Sequence, residues 1–232
     1  MNQNKLFIPV SIVVAGLIIA GAIYLATNKD IQAPNVVEND DPKEYSIKPV
    51  SNEDHILGNP DAEIIIVEYS DFECPFCAEF HPTMEQIMSE YGSSGKVAWV
   101  FRHFPLDNAH KKARAAAEAS ECVAKLVGNE AFWAFGKNIF AGQPESLEPD
   151  FIKKTALSLG VEESLYNECV QNRTYAEEVE NDYQDGLLIA QTDPDFGTPY
   201  SIVISKTGVQ ASIVGAQPYS LVKQIVSTML GE

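Results

Sequence analysis

Two cysteines three residues apart, Cys74 and Cys77, follow an apolar run at positions 64–67. They lie at the start of an amphipathic run that begins at Pro75. This order of strand, C-x-x-C and helix constrains the fold more than any other feature of the chain. In a first helical turn, residues i and i+3 share a face, so the two sulfurs can form a disulfide. Proline suits the first helical position because its φ is already helical. The spacing therefore predicts a redox dithiol at a helix N-terminus.

The positive end of a helix dipole favours a thiolate on Cys74 over a thiol. Cys74 is predicted to be the nucleophile, and Cys77, one turn further in, the resolving thiol. A structural disulfide and half of a metal site remain alternative interpretations of C-x-x-C. A zinc site needs further ligands at close spacing, whereas the other two cysteines stand alone and the four histidines form no closely spaced pair. Position 78 is alanine, where a c-type haem site needs histidine. No metal and no cofactor are expected.

The first 27 residues are predicted to be a separate membrane anchor. Lys5 precedes an uncharged stretch from position 6 to position 27, long enough at about 1.5 Å per residue to cross a hydrocarbon core of roughly 30 Å. A cleaved signal peptide is the alternative, with Ala20-Gly21-Ala22 as its cleavage site. No cysteine follows this stretch, which excludes a lipoprotein. The positive-inside rule places the rest of the chain on the extracytoplasmic side of the cell membrane, behind a single span.

Residues 28–53 are rich in Asn, Asp, Glu and Pro and show no apolar period, so they are predicted to be a flexible, solvated tether. The remaining residues suffice for a substantial hydrophobic core. The formal net charge is −17 at pH 7. A field of that sign argues against nucleic acid or anionic lipid headgroups as partners.

The folded part reads as β-α-β, then a long helical stretch, then β-β-α, which places it in the α/β class. No strand pattern occurs between positions 108 and 191, where the alanine-rich and amphipathic segments predict several helices. Thr174 and Glu177 are predicted to form a capping box that opens the last of them. The strands that flank this insertion are predicted at 63–70, 96–103, 200–204 and 209–214, and the long helices outside it at 75–91 and 219–230.

With a dithiol after its first central strand, this layout resembles the thioredoxin fold with a helical insertion, as in the DsbA family of thiol:disulfide oxidoreductases. The resemblance implies a thioredoxin-like domain formed by 54–107 and 192–232, with an inserted all-helical subdomain at 108–191. It extends from about position 58 to the last residue and rests on several motifs. These are residues 68–77 (EYSDFECPFC), 101–105 (FRHFP) and 197–199 (GTP), together with 117–122 (AEASEC) and 131–133 (AFW), which match the membrane-anchored branch.

In this family, a cis-proline at the start of the strand after the insertion faces the dithiol. The resemblance therefore implies a cis Thr198–Pro199 bond, with the backbone of Thr198 free to pair with an extended substrate. An ordinary trans proline is the alternative. The family also has a buried carboxylate at the position of Glu68, close to the second cysteine. A neutral carboxyl there could exchange a proton with Cys77, unless Glu68 reaches solvent at the strand end.

Four cysteines allow three pairings, and the sequence alone does not choose among them. Within the resemblance, the Cys74–Cys77 pair must stay accessible, so Cys122 and Cys169 are expected to form a structural disulfide in an oxidising compartment. Two buried free thiols are the alternative. His103 and His110 fall near the dithiol face of this fold, and both are expected to be imidazoles with satisfied hydrogen bonds.

The function implied is an extracytoplasmic oxidase that introduces disulfides into exported proteins. Its substrates would be the thiols of exported proteins, and its reoxidant a membrane quinone-coupled thiol oxidase. We expect a monomer. Pro75 and Phe76 supply no imidazole between the cysteines, in contrast to the Pro-His pair of strongly oxidising relatives, which leaves the oxidising strength open. A reductase or isomerase with the same chemistry is one alternative, and a non-catalytic, membrane-tethered binding or chaperone module is another.

Overall fold

The computed structural model describes residues 44–232. The predicted anchor at 1–27 and positions 28–43 of the predicted tether lie outside the described residues. Within residues 44–232, no helix is both long enough and apolar enough to cross a membrane.

Five strands form one mixed sheet at the centre of the domain. They are β1 (His55–Gly58), β2 (Ile64–Ser70), β3 (Val97–His103), β4 (Tyr200–Ser205) and β5 (Gln210–Val214). Their order across the sheet is β1-β3-β2-β4-β5. Strands β2 and β3 are parallel, and all other neighbours are antiparallel. A parallel pair needs a crossover connection, which the helix after β2 supplies.

Residues 44–232 also form seven α-helices, which surround the sheet. They are α1 (Pro75–Ile87), α2 (Ala113–Val127), α3 (Asn129–Ala141), α4 (Pro149–Ser158), α5 (Glu163–Gln171), α6 (Ala176–Ala190) and α7 (Tyr219–Leu230). A short π-helical segment, Met88–Gly92, continues α1. Helices α2 to α6 all lie between β3 and β4 in the chain. The fold is thus thioredoxin-like with an all-helical insertion, in agreement with the prediction from the sequence.

The side chains of β2 contribute to two separate hydrophobic clusters. Ile64 and Ile66 belong to the cluster that contains the buried side chains of α1, whereas Val67 and Tyr69 belong to the other. Because alternate residues of a strand share a face, Glu68 lies on the face of Ile64 and Ile66. The pleat of β2 therefore directs a carboxyl group towards the helix that begins at the dithiol.

The end of the predicted tether is packed on the domain instead of being solvated. Tyr45 is only 7% exposed, and its N–H donates to Gln210 Oε1 over 2.6 Å. The N–H of Lys48 donates to Asp185 Oδ1, also over 2.6 Å. Tyr45 and Ile47 supply the apolar contacts with the cluster around β4. Alternating apolar residues within a polar stretch are the reason that this part of the tether docks.

Two local features differ from the prediction. Strand β1 was not predicted, because four residues at a sheet edge carry too short a pattern to be distinguished from a loop. The capping box at Thr174 is not formed. The hydroxyl of Thr174 donates instead to the carbonyl of Cys169 over 3.2 Å, and α6 begins after Tyr175 without a side-chain cap. This local hydrogen bond to the preceding helix competes with the cap, so the hydroxyl of Thr174 does not cap α6.

Candidate active site

The two cysteines of the C-x-x-C motif lie at the N-terminus of α1. Cys74 is the N-cap residue, and Pro75 follows at the first helical position, as the sequence predicts. Both are free thiols in this structure. Cys77 is completely buried, and Cys74 retains only 3% exposure. Phe76, between them, is 60% exposed, so it marks the point at which this part of the helix reaches solvent.

The thiols of Cys74 and Cys77 have opposite tendencies to ionise. The hydrogen bond from the Cys77 thiol lowers the pKa of Cys74 to about 6 against the effect of burial. The Thr198 side chain and then the backbone amides of Cys77 and Phe76 act in the same direction. Burial raises the pKa of Cys77 well above its ordinary value. The N–H of Asp71 lies 3.4 Å from the Cys77 sulfur. At neutral pH, one sulfur is thus an available thiolate and its neighbour a proton-bearing thiol, which is the asymmetry that thiol–disulfide exchange needs.

Glu68 lies in the interior with no exposed surface, so the alternative in which it reaches solvent does not hold. Its Oε2 accepts a hydrogen bond from Trp99 Nε1 over 2.9 Å, while Oε1 has no hydrogen-bond partner among residues 44–232. Burial raises the pKa of Glu68 to about 7. After burial and the contact with Cys74, the charge of Glu68 adds to the rise in the pKa of Cys77. A carboxyl that titrates near neutrality therefore interacts with the buried thiol.

The loop before β4 lies directly against the dithiol. The Thr198–Pro199 peptide bond is cis, and the Thr198 carbonyl lies 3.4 Å from the sulfur of Cys74. The N–H of Thr198 makes no hydrogen bond within the described part of the chain. The Pro199 carbonyl accepts from Gly215 over 2.9 Å. This arrangement covers Cys74, and it leaves one backbone donor beside the sulfur for an extended peptide.

Two carboxylates next to the motif hold the loop that follows β3. Asp71 Oδ2 accepts from the N–H of Leu106 over 2.7 Å and lies 2.8 Å from Nδ1 of His110. Glu73 Oε2 accepts from the N–H groups of Lys112 and Ala113, over 2.6 and 3.1 Å. These contacts could not be predicted from the sequence, because a carboxylate that binds backbone N–H groups requires no partner of a particular residue type. They form one rim of the site.

The two histidines near the dithiol face both have hydrogen-bond partners, as predicted. The Asp71 carboxylate and then the charge of Cys74 raise the pKa of His110 above its ordinary value, although burial acts in the opposite direction. His103 lies further away, with Nε2 3.0 Å from Glu121 Oε1. His110 is therefore a partly exposed imidazole with a raised pKa, on the side of the site where the thiolate forms.

Cys122 and Cys169 form a disulfide that joins α2 to α5, with their Cα atoms 6.1 Å apart. This is the pairing that the resemblance implied. A second side chain of the insertion, Gln143, donates to the carbonyl of Phe72 over 2.6 Å. The Gln143–Pro144 bond is also cis, which no feature of the sequence indicated. The helical insertion is thus bonded internally and also contacts the segment that leads into the dithiol.

This fold and this site define a thioredoxin-type protein with a dithiol at a helix N-terminus and a cis-proline opposite it. The family model described as thioredoxin matches residues 50–192, which is more than half of the chain. The chain therefore belongs to the thioredoxin family.

Solved structures with the same fold include several DsbA proteins. BdbD from Bacillus subtilis, in its oxidised form, superimposes with a TM-score of 0.66 at 24% identity, covering 82% of this chain and 100% of that one. DsbA from Chlamydia trachomatis gives a TM-score of 0.66 at 17% identity, covering 82% and 96%. For alpha-DsbA1 from Wolbachia pipientis the TM-score is 0.64 at 23% identity, covering 79% and 93%. The fold of this chain is the DsbA form of the thioredoxin fold.

The chain also matches one region of longer curated proteins. Na(+)/H(+) antiporter NhaA 1 from Mycobacterium sp. (strain KMS) is 33% identical over 161 residues, which is 69% of this chain and 25% of that protein. NhaA 3 from Salinispora tropica is 34% identical over 129 residues, or 56% of this chain and 19% of that protein. The chain thus spans about a quarter or less of the length of these relatives. The name antiporter therefore describes longer proteins, of which the region similar to this chain is a minor part.

Proposed function

We propose that the chain is a thiol:disulfide oxidoreductase that introduces disulfides into exported proteins through Cys74 and Cys77. One observation carries the proposal most directly. Cys74, with a pKa lowered to about 6, lies 3.4 Å from the Thr198 carbonyl, whereas Cys77 lies fully buried on the side of Glu68. A sulfur that ionises readily is a good leaving group, so the reduced form is favoured and the disulfide form is oxidising.

The reaction begins with the oxidised form, in which Cys74 and Cys77 are bonded. A substrate thiolate attacks the sulfur of Cys74. A substrate–Cys74 bond forms, the Cys74–Cys77 bond breaks, and the electron pair stays on Cys77, which takes a proton from the neutral carboxyl of Glu68. A second substrate thiolate then attacks the substrate sulfur of the mixed disulfide and releases the Cys74 thiolate. Two electrons have passed from two substrate thiols to the dithiol, and the substrate holds a new disulfide.

The backbone beside the dithiol would align the substrate. The unpaired N–H of Thr198 can donate to a carbonyl of an extended substrate segment, in the manner of an added strand. The exposed ring of Phe76 offers an apolar contact at the same edge. Pairing through the backbone is independent of substrate side chains, which suits an enzyme that acts on many exported proteins.

The reaction in steady state requires an acceptor for the two electrons, and we propose a membrane quinone-coupled thiol oxidase in that role. The proposed location is the extracytoplasmic face of the cell membrane, with the apolar stretch at positions 6–27 as a single anchor and the protein as a monomer. The Cys122–Cys169 disulfide supports an oxidising compartment. Labelling an introduced surface cysteine with a membrane-impermeant maleimide in intact cells tests this location, which protection from the reagent would contradict.

The test of the activity is the stoichiometric oxidation of a reduced two-cysteine test protein by the oxidised chain. Wild-type protein should transfer one disulfide per molecule, and Cys74→Ser should transfer none. Cys77→Ser, a matched variant one turn away, should instead be mixed with the oxidised test protein. The Cys74 thiolate attacks the substrate disulfide and releases one substrate thiolate, and the mixed disulfide on Cys74, which no Cys77 thiol can resolve, should be visible on a non-reducing gel. Oxidation of the substrate by Cys74→Ser at more than a few per cent of the wild-type rate would contradict the assignment of the nucleophile. A dithiol that reacts with neither substrate nor glutathione would instead support the non-catalytic module.

A further inference from the structure

Three side chains able to bind a metal ion meet in the interior, and none of them belongs to the dithiol. Nε2 of His55 in β1 and Nε2 of His103 at the end of β3 lie 2.6 and 3.0 Å from the same atom, Oε1 of Glu121 in α2. One donor atom from each residue lies within 4.8 Å of the other two. All three residues are buried. We propose that this group, the His–His–Glu cluster, is a binding site for Zn²⁺.

The donor set of the cluster fits zinc. Imidazole nitrogen and carboxylate oxygen bind Zn²⁺ at about 2.0–2.2 Å, and sites with three protein ligands keep a fourth, open position. Tetrahedral coordination at those lengths separates neighbouring donors by roughly 3.3 Å. The observed N···O separations, 2.6 and 3.0 Å, are shorter by less than about 1 Å. The two imidazole donor atoms lie no more than 4.8 Å apart, so side-chain adjustments of up to about 1.5 Å would turn two hydrogen bonds to Glu121 into three bonds to one ion.

A cavity of about 240 Å³ adjoins the cluster, with His55 and Glu121 in its wall. It offers space for a water molecule at the fourth position. The wall also contains five further carboxylates, those of Glu53, Asp54, Glu177, Glu178 and Asp182. Two lysines line the cavity as well, but Lys48 lies 3.8 Å from Glu53, and the Lys125 ammonium lies 5.9 Å from the centre of the Tyr175 ring. The excess of carboxylates favours entry of a cation.

The two imidazoles are already held in place. The ring of His55 stacks on Phe132, with centroids 3.6 Å apart and an angle of 12° between the planes. The ring of His103 packs edge-on against Phe101 and Phe132, at 5.3 and 5.9 Å. The backbone N–H of His103 donates to Asp182 over 3.0 Å. Ligands fixed in this way lose little freedom when an ion binds, which favours affinity.

A bound ion would cross-link the sheet to the helical insertion, because two ligands come from β1 and β3 and the third from α2. The cluster and the dithiol share no residue, so this inference is independent of the proposed redox function. No pattern in the sequence indicated this metal site. The expectation of no metal rested on the spacing of the histidines, whereas the fold assembles the cluster from positions 55, 103 and 121.

The test is a calorimetric titration of the full chain, in detergent, with Zn²⁺. The protein carries Cys74→Ser and Cys77→Ser, so that thiols cannot bind the ion. We expect one ion per chain. In this background, Glu121→Gln and His55→Gln should each weaken binding by more than about 100-fold, since losing even an outer-shell partner costs about 10–100-fold. His110→Gln, a matched loss of an imidazole outside the cluster, should leave the affinity unchanged.

A second measurement keeps the proposal testable if a cluster variant fails to fold. X-ray absorption at the zinc edge, on the protein with an intact cluster, should show a shell of nitrogen and oxygen donors with the multiple scattering of two imidazoles. Absence of stoichiometric binding, a shell without imidazole, or an affinity that survives Glu121→Gln in a folded variant would each overturn the proposal.

Discussion

Trp99 donates a hydrogen bond from Nε1 to Oε2 of Glu68 over 2.9 Å, and neither residue has any exposed surface. The indole thus fixes one oxygen of a carboxyl group that lies on the face of the sheet covered by α1. The other oxygen, Oε1, has no hydrogen-bond partner among residues 44–232. This bond fixes one oxygen of the group that we assign to proton exchange with Cys77, and the side chain of Ser70 also favours the charged form of the carboxyl group.

Glu68→Gln should change how the stability of the reduced protein depends on pH. Because burial raises the pKa of Glu68 to about 7, the folded state binds this proton more tightly than the unfolded state does. This contribution to stability is complete below about pH 4.5 and decreases as the pH rises through 7, by roughly 3 kcal/mol. Denaturant unfolding should therefore show that wild type loses stability relative to Glu68→Gln over that range. A constant difference would exclude a carboxyl with a raised pKa.

Trp99→Phe should raise the pKa of Glu68 further, since the hydrogen bond from the indole favours the charged carboxylate. The readout is the pH profile of mixed-disulfide formation with a small thiol, in which the step assigned to Glu68 should shift to higher pH. Trp133, whose ring centre lies 4.5 Å from that of Trp99, supplies the control. Trp133→Phe removes an indole of the same size without touching Glu68, and a shift as large in that variant would mean that packing, rather than the hydrogen bond, is responsible.

His110→Gln should raise the pKa of Cys74. Asp71 holds the imidazole of His110 with a raised pKa, and the charge of Cys74 contributes to that rise, so the interaction must act in the opposite direction on Cys74. Below the pKa of His110, the cation favours the thiolate, and its loss should move the thiolate titration, followed by ultraviolet absorbance, to higher pH. As the control, Lys111→Gln removes a neighbouring charge on the same loop. The ammonium of Lys111 donates to the carbonyl of Asp107. Equal shifts in both variants would indicate a general charge effect.

Replacing both Cys122 and Cys169 by serine should lower the stability while leaving thiol exchange at the dithiol intact. The bond closes a loop of 47 residues, for which the chain-entropy relation gives about 4 kcal/mol, a model-dependent value. Thermal unfolding in the presence and absence of the disulfide measures the loss. If the variant unfolds at the same temperature but loses its thiol exchange, the disulfide would have a role in the reaction and not in stability.

The position of Glu68 was predicted through the resemblance to the DsbA family, which has a buried carboxylate at this place in the first central strand. The hydrogen bond that Glu68 accepts from Trp99 could not be predicted. The bond from Trp99 depends on the register between β2 and β3, in which Ile66 is opposite Trp99, and no local pattern encodes that register. The same limit applies to His110, which reaches Asp71 through a loop whose path is set by backbone hydrogen bonds.

The helical insertion was predictable in outline because its helices carry their own period, and three of the five are followed by a glycine, at positions 128, 142 and 160. Docking of the segment around Tyr45 was not, since the alternation of Tyr45 and Ile47 within a polar stretch is too short to predict a contact with the domain. The His–His–Glu cluster shows the same limit at larger scale. Its members come from a sheet edge, a strand end and a helix, so only the assembled fold brings His55, His103 and Glu121 together.

The most direct test of the central claim is the equilibrium of the Cys74–Cys77 pair with a glutathione redox buffer, followed by mass spectrometry of trapped thiols. A pKa of about 6 for Cys74 favours the reduced form, so we expect a potential between about −120 and −200 mV, on the oxidising side of the glutaredoxins. A potential near −270 mV, the value for thioredoxin, would contradict the oxidase and support a reductase. If no disulfide forms between Cys74 and Cys77 at any ratio, the redox assignment itself is wrong.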